Sequence, residues 1–237
     1  MSLNTLVEVK SDIKSAIEEY GITINGGLNT YADKIRELPP IIDVNTLFPI
    51  VVSQKAKFGY SGFTTIPEIE TSNYTDMSYM FYFCQNLETI PLIDTSNVTN
   101  MHAMFWGCTS LTEIPQLDTS NVTDMNGMFS QCYNLKYVPL LDASNVEDAG
   151  SLFFNVLDAE CDGFINLGKK SNFEGVWINN LRSIKSVRNI FKHLYDRASA
   201  GYSVKTIGVS KKVGEQLSSS EIAEVTNKGW IVDISIL

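Results

Sequence analysis

Residues 94–108, DTSNVTNMHAMFWGC, return almost unchanged at residues 118–132 as DTSNVTDMNGMFSQC. The longer unit that contains this stretch begins with Ile-Pro or Val-Pro at Ile66, Ile90, Ile114 and Val138, which gives it a 24-residue period. A unit of this length cannot bury its apolar face alone and needs a copy on either side. The sequence therefore predicts an α/β solenoid, a stack of short strands and short helices.

Each repeat divides into a predicted strand, a turn and a predicted helix. Residues 90–93 are apolar around Pro91, and the Asp-Thr-Ser-Asn run that follows favours a turn, because these side chains bond the local backbone. Met101, Met104, Phe105 and Cys108 recur at i, i+3, i+4 and i+7, which predicts one face of a two-turn helix. Stacked repeats would align three columns: Met80, Met104, Met128 and Leu152; Phe81, Phe105, Phe129 and Phe153; Asn73, Asn97, Asn121 and Asn145.

The chain outside the repeats divides into three further segments. The apolar spacing in residues 1–40 predicts two short helices that are too small to fold alone. We therefore expect them to pack through an apolar stripe on the repeats, on a second copy of the chain or on another protein. Residues 41–65 would cap the first repeat, residues 66–160 hold the four repeats, and residues 161–237 form a strand–helix cap. The predicted attachment residues are Leu6, Val9, Ile13, Ile17, Tyr31 and Ile35.

The C-terminal cap shows a clear order of elements. Strands are predicted at residues 163–168, 204–210 and 230–236. Helices are predicted over residues 180–197 and after the run Ser218–Ser220, with Lys228-Gly229 ending the second helix. Two strand–helix units would therefore extend the stack or close it.

The distribution of charge along the chain disfavours some classes of binding partner. The net charge is −9, with −12 over residues 41–165 and +5 over residues 166–237. An acidic repeat body argues against nucleic-acid binding along its length. No stretch has the length of a membrane span, and the N-terminus lacks the apolar core of a signal peptide, so we expect neither membrane insertion nor a secretion signal.

Two columns of polar or reactive residues have competing interpretations. Cys84, Cys108 and Cys132 recur once per repeat and predict a ladder of small buried groups, although one disulfide between neighbouring repeats is possible and Cys161 falls outside the column. The acidic column would cap turns or hold a calcium ion. It comprises Glu70, Asp94, Asp118 and Asp142.

Positions that vary between repeats are expected to face solvent, since stacking does not dictate them. They are Tyr79, Ala103 and Gly127; Tyr82, Trp106 and Ser130; Phe83, Gly107 and Gln131. Clustered exposed aromatics favour a protein or glycan partner, while scattered aromatics or contact with a cap are the alternative. The candidate aromatic patch is Tyr79, Tyr82, Phe83, His102, Trp106 and Tyr133.

The motifs of common enzymes are missing from the sequence. The two histidines, His102 and His193, lie in a repeat and on a basic predicted helix, and no nucleophile elbow, phosphate loop or paired-metal motif is present. The sequence predicts a protein without catalytic residues, cofactor or bound metal.

The two stretches DTSNVTNMHAMFWGC and DTSNVTDMNGMFSQC closely resemble BspA-type leucine-rich repeats over residues 66–155. The first repeat departs at Glu70 and Tyr74, and the fourth departs at Ala149 and Val156. Families with such repeats are mostly surface adhesion or recognition proteins, so the resemblance implies binding.

The termini carry a second resemblance. The run VKSDIKSAIEEYGITINGGLNTYADKIRELP, together with the C-terminal ending, resembles phage fibre and other virion structural proteins. This implies a head or tail fibre or decoration component in the virion, homo-oligomeric through its N-terminus, that binds a host-surface protein or glycan or another virion protein. The alternative is a bacterial cell-surface or secreted adhesin.

Overall fold

The computed structural model describes residues 58–66, 68–156, 159–178 and 181–236. These residues belong to one compact unit, Gln54–Leu237. The helices predicted in residues 1–40, and with them the attachment residues, lie outside the described residues. In the part of the chain that the structure describes, every helix is too short or too polar to cross a bilayer.

Successive repeats lie side by side in parallel register. Isolated parallel bridges join equivalent positions of adjacent repeats. Two of them meet at Asn100, which pairs with Asp76 on one side and Asp124 on the other. The remaining bridges of this register are Thr65↔Thr89, Glu113↔Tyr137 and Asp124↔Asp148.

A column of phenylalanine rings forms the centre of the core. Ring centroids of successive members lie 5.3 Å apart for Phe81–Phe105, 6.0 Å for Phe105–Phe129 and 5.6 Å for Phe129–Phe153. The planes are within 20° of parallel, and all four side chains are fully buried. The methionine column flanks them and is buried as well. Each ring thus shields the next from water, which is the main source of stability that a repeat of this size has.

The two-turn helix predicted in each repeat is wrong. Residues 101–108 form consecutive turns, in which the N–H groups of Met104, Trp106 and Cys108 each donate to the carbonyl three residues earlier. The alternate N–H groups, from Ala103 and Phe105 among others, donate to carbonyls of the following repeat at 2.8–3.0 Å. Every second amide therefore joins two repeats, and the backbone makes a ladder where the sequence spacing predicted a helix.

The turns are possible because some residues adopt left-handed backbone conformations. Ala103 has φ 51° and Gly107 has φ 76°, and a right-handed helix cannot contain either value. Tyr79 and Phe83 hold the equivalent positions in the first repeat, with φ 59° and 55°. A spacing of i, i+3, i+4, i+7 is thus compatible with turns as well as with a helix.

Pairing extends beyond both predicted boundaries of the repeats. The N–H of Phe58 donates to Met80 O at 2.8 Å, and the Phe58 ring stacks on Phe81 at 5.6 Å. At the other end, strand β1 (Tyr137–Val138) pairs with β3 (Glu160–Cys161), and β2 (Leu141–Asp142) pairs with β4 (Phe164–Ile165). The bridge Ala149↔Val176 continues this parallel pairing, with more residues of sequence between the two partners.

The C-terminal part contains a parallel three-stranded sheet and three helices. The sheet order is β5 (Val176–Trp177), β6 (Lys205–Ser210) and β7 (Trp230–Ile236). The helices are α1 (Ile184–His193), α2 (Lys211–Gly214) and α3 (Ser219–Asn227). The strands at 204–210 and 230–236 and the helix after Ser218 are confirmed, whereas β5 and α2 were not predicted.

Capping residues explain where these helices begin. Ser218 accepts a bond from the Glu221 N–H, and the Glu221 side chain accepts one from the Ser218 N–H, which completes a capping box. Ser183 accepts from the Ser186 N–H at the start of α1, and Leu194 ends that helix in an extended conformation. The helix predicted over residues 180–197 is therefore shorter at both ends.

Candidate binding surface

Six aromatic side chains of the first repeats form a connected group, which we call the aromatic cluster. Tyr82 lies at its centre, with ring centroids 4.8 Å from Phe83, 5.3 Å from Tyr79, 5.5 Å from Tyr60 and 6.3 Å from Trp106. Five of the six residues predicted for the aromatic patch belong to it. Its members are Tyr60, Tyr79, Tyr82, Phe83, His102 and Trp106.

Left-handed backbone turns place three of these rings. Tyr60, Tyr79 and Phe83 have φ of 60°, 59° and 55°, a conformation that costs a residue with a side chain about 1–2 kcal/mol. The N–H groups of Tyr79 and Phe83 donate to His102 O at 2.9 Å and Trp106 O at 2.7 Å. The bonds between repeats thus hold the backbone that carries the cluster.

Glycines of the following repeats support two of the rings. A Cβ added at Gly107 would lie 3.0 Å from the Phe83 ring, and one added at Gly127 would lie 2.7 Å from the Trp106 ring. Real Cβ atoms essentially never approach a ring as closely as 2.7 Å, so the Trp106 ring rests on backbone that only glycine leaves open. At Gly107 the contact would be tight, and the Phe83 ring would have to shift slightly. The residues that vary between repeats are therefore complementary in size, because a large ring in one repeat lies over a glycine in the next.

The cluster is open to solvent and its rings are held in place. Tyr60 is 72% exposed, and the other members are partly buried against one another. Burial among the neighbouring rings, aided by Tyr60 and Tyr79, raises the pKa of the Tyr82 phenol above its usual value. Side chains that are already immobilised lose little conformational entropy when a ligand binds.

His102 forms one border of the cluster. Its ring lies 5.1 Å from that of Tyr79, and its Nδ1 lies 3.4 Å from Asp124 Oδ2 in the next repeat. The His102 backbone N–H donates to Asn100 Oδ1 at 2.9 Å. A polar donor and a carboxylate thus stand beside the aromatic faces, an arrangement that suits a ligand with both apolar faces and hydroxyl or amide groups.

The structure corrects part of the predicted patch. Tyr133 is 49% exposed, but it has no ring contact with the cluster in the described residues. Four of the positions that were expected to face solvent are buried, namely Ala103, Gly107, Gly127 and Ser130. Ser130 Oγ donates to Ser151 O at 2.7 Å, so this position is polar because it bonds the next repeat.

Tyr60 is the member of the cluster that the sequence analysis missed. Its ring stacks on Phe83 at 5.6 Å with planes 14° apart, and its N–H donates to Tyr82 O at 2.7 Å. Phe58 and Tyr60 precede Phe81 and Phe83 by one position less than the repeat period, so a search that tolerated a single deletion would have found them.

The cysteines form a column of buried thiols. All four cysteines are free, and Cys108 Sγ donates to Phe81 O while Cys132 Sγ donates to Phe105 O, both at 3.0 Å. Burial raises the pKa of both thiols and raises that of Cys161 to about 12. The interpretation as small buried groups is confirmed, and the alternative of a disulfide is wrong for this structure.

The acidic column caps turns. Ser96 N–H and Oγ both donate to Asp94 Oδ1, at 2.9 and 2.7 Å, and Ser120 does the same to Asp118 at 3.0 and 2.7 Å. Hydrogen bonds from Ser96 hold the pKa of the Asp94 carboxyl below its usual value. The capping interpretation is confirmed. Among the described residues, no three acidic, histidine or cysteine side chains converge as metal ligands would.

A second capping column was missed. Asp76, Asn100, Asp124 and Asp148 each accept a bond from the backbone N–H two residues later, at 2.8–2.9 Å. Aspartate and asparagine share this position, and both cap a turn with a side-chain oxygen. The recurrence of aspartate or asparagine at this position was the sequence signal that could have identified the second capping column.

Comparison with known proteins matches the repeats to one family model. Residues 52–163 match the model of a family described as "Mycoplasma protein of unknown function, DUF285", which is related to BspA-like repeat proteins. The matched range covers the four repeats and the short segment before them. A search of curated proteins found no match.

Proposed function

We propose that this chain is a non-enzymatic recognition protein that binds a protein or glycan partner through the aromatic cluster. The observation that carries the proposal is the contact network of six partly exposed rings centred on Tyr82. Aromatic side chains provide large contact areas at low entropic cost, and they are enriched at recognition surfaces. None of these rings belongs to the phenylalanine column that fills the core.

The repeats supply the rigid support that such a surface needs. We propose that the described chain is a solenoid of the leucine-rich type, in which short strands and turns repeat along one axis. The support for this class is the parallel bridge register between repeats and the phenylalanine column. Each backbone segment that carries a cluster ring bonds the following repeat, so the rings keep fixed separations.

The four thiols and the acidic column have structural roles, which favours binding over turnover. The four thiols are buried, and burial raises their pKa values, so they are poor nucleophiles at neutral pH. Asp94 and Asp118 hold turns through Oδ1.

We propose a virion location, as a head or tail fibre or decoration component, with the host surface or another virion protein as partner. The support is the resemblance of the two termini to phage fibre proteins. The alternative is a bacterial cell-surface or secreted adhesin, which the relationship of the repeats to BspA-like proteins favours.

Two measurements test these proposals. Fluorescently labelled full-length protein is applied to an array of bacterial surface glycans and to intact bacterial cells. Saturable binding to at least one of them is expected, and no binding to either would overturn recognition of a bacterial surface. Mass spectrometry of purified virions from the source strain should detect the chain. Its absence from virions and presence in the cell-surface fraction would replace the virion proposal by the adhesin.

A further inference from the structure

The aromatic cluster lies in an acidic part of the chain. Residues 58–135, which contain all of its rings, hold eight aspartates and glutamates and no lysine or arginine. One of these carboxylates, Asp124, stands at the border of the cluster, with Oδ2 3.4 Å from His102 Nδ1. A surface with charge of one sign attracts groups of the opposite sign and repels groups of its own sign. The charge therefore favours a cationic partner for the cluster.

The rings themselves also favour a cation. The face of an aromatic ring carries partial negative charge and attracts a cation that lies over it. Tyr60 is 72% exposed, and the plane of Tyr82 is turned 76° from that of Tyr60 and 73° from that of Tyr79. Among the described residues, none with a positive charge lies over the rings of Tyr60, Tyr82 or Trp106. A cation supplied by a partner can therefore use these faces.

The C-terminal part of the chain shows which cation suits such a ring. Arg197 Cζ lies 5.4 Å from the centroid of the Tyr202 ring. A guanidinium group is planar and weakly hydrated, so it stacks on a ring more readily than the strongly hydrated ammonium group of lysine. Its five N–H donors can also reach oxygen atoms beside the ring. An arginine side chain thus suits ring faces that have a carboxylate at their border.

Asp124 is placed to supply that carboxylate. Its Oδ1 accepts a bond from the Asn126 N–H at 2.8 Å, which fixes the side chain. Its Oδ2 lies beside His102, and a carboxylate has acceptor sites for more than one donor. A guanidinium stacked on the cluster could therefore donate to Asp124 as well.

The same charges separate the two partner classes that the proposed function leaves open. A glycan with carboxylate or phosphate groups would be repelled by the acidic residues of 58–135. Arginine belongs to proteins, and it is enriched with aromatic residues at protein interfaces. The charge and the rings together favour a protein partner.

We propose that the partner of the aromatic cluster is a protein that places arginine side chains on its rings. The guanidinium groups stack on the exposed ring faces, and their N–H groups donate to Asp124. This inference rests on the proposed function, because it names the partner class for the same surface.

Fluorescence anisotropy with the full-length chain tests the inference. The probe is a fluorescein-labelled nine-residue peptide with three arginines among glycine and serine. One control peptide replaces arginine by citrulline, which keeps the shape without the charge, and the other replaces it by lysine, which keeps the charge without the planar group. We expect saturable binding of the arginine peptide, at least tenfold weaker binding of the citrulline peptide and at least threefold weaker binding of the lysine peptide. Equal affinity for the arginine peptide and either control would overturn the inference.

Variants of the chain locate the binding. Tyr82→Ala/Trp106→Ala should weaken binding of the arginine peptide at least tenfold. Asp124→Asn should weaken it at least threefold, and this variant should fold because Asn100 holds the equivalent position of the preceding repeat. Melting temperatures establish that both variants are folded. Wild-type affinity in a folded Tyr82→Ala/Trp106→Ala variant would overturn the inference.

A matched variant separates the cluster from general electrostatic attraction. Glu88→Gln/Glu113→Gln removes charge from exposed positions outside the cluster, and its affinity for the arginine peptide should stay within twofold of the wild type. A loss equal to that of Asp124→Asn would overturn the inference.

A glycan arm distinguishes failure of this inference from failure of the proposed function. A neutral glycan might bind the wild type, and bind Tyr82→Ala/Trp106→Ala at least tenfold more weakly, while the arginine peptide does not bind. That result would retain the aromatic cluster as the recognition surface and overturn the protein partner. Binding of the arginine peptide that is lost in Tyr82→Ala/Trp106→Ala would support both.

Discussion

The rings of Phe81 and Phe105 lie 5.3 Å apart and within 6° of parallel, although they come from successive repeats of the chain. The same relationship continues through Phe129 and Phe153, so one buried column runs through four repeats. Each repeat therefore depends on its neighbours for burial of its largest apolar side chain, and changes in the column should affect the whole stack.

Removing one ring from the column should be strongly destabilising. Phe105→Ala deletes a fully buried ring with a stacked neighbour on each side, and we expect a loss of about 3–5 kcal/mol in the free energy of unfolding. Urea denaturation followed by circular dichroism measures the loss. Tyr133→Ala, at a half-exposed position, should cost much less. Equal losses in the two variants would mean that the column does not stabilise the fold.

Gly127 should be essential for the position of Trp106. A Cβ at Gly127 would lie 2.7 Å from the Trp106 ring, so Gly127→Ala must displace the ring in addition to straining a residue with φ of 67°. Gly201→Ala is the matched control, because Gly201 has φ of 70° and nothing within 4 Å of an added Cβ. We expect Gly127→Ala to shift tryptophan emission and to lower stability more than the control does. Identical spectra and stabilities would contradict the contact.

The acidic column should tolerate asparagine better than alanine. Asp118 Oδ1 accepts two bonds from Ser120, and an asparagine oxygen can accept both. We expect Asp118→Asn to retain most of the stability and Asp118→Ala to lose about 0.5–2 kcal/mol, as for other capping residues. Thermal unfolding with and without calcium completes the test. A melting temperature raised by calcium and lowered by chelator would assign the column to a cation instead of to turn capping.

The thiols should be unreactive in the folded protein. Burial raises the pKa of Cys108, Cys132 and Cys161, so the reactive thiolate is scarce at neutral pH. Titration with a thiol reagent should label all four cysteines in denaturant and label them slowly in buffer. Fewer than four labelled cysteines in non-reducing denaturant would show a disulfide bridge. Rapid labelling in buffer would show that the reagent reaches the cysteine column in the folded protein.

The repeat period was enough to predict which residues pack together. The phenylalanine, methionine and cysteine columns and the acidic column follow from which residue types recur at one spacing. Most of the aromatic cluster follows from positions at the same spacing where the residue type varies. The strands at 204–210 and 230–236 also followed from local pattern.

Backbone conformation inside the repeat was not predictable in the same way. Tyr79, Ala103 and Phe83 take left-handed conformations that their side chains disfavour, and bonds to the next repeat stabilise them. A local pattern cannot report such bonds, so the spacing of Met101 and Phe105 indicated a helix. Tyr60 was missed for a related reason, since its repeat is slightly shorter than the period.

The function proposed here depends on the aromatic cluster, and affinity measurements on three proteins test it most directly. The wild type, Tyr82→Ala/Trp106→Ala and Tyr133→Ala are compared on the glycan or cells that the wild type binds. Melting temperatures establish that each variant is folded. The account predicts at least tenfold weaker binding for Tyr82→Ala/Trp106→Ala and unchanged binding for Tyr133→Ala, which lies outside the cluster. Wild-type affinity in a folded Tyr82→Ala/Trp106→Ala variant would contradict it.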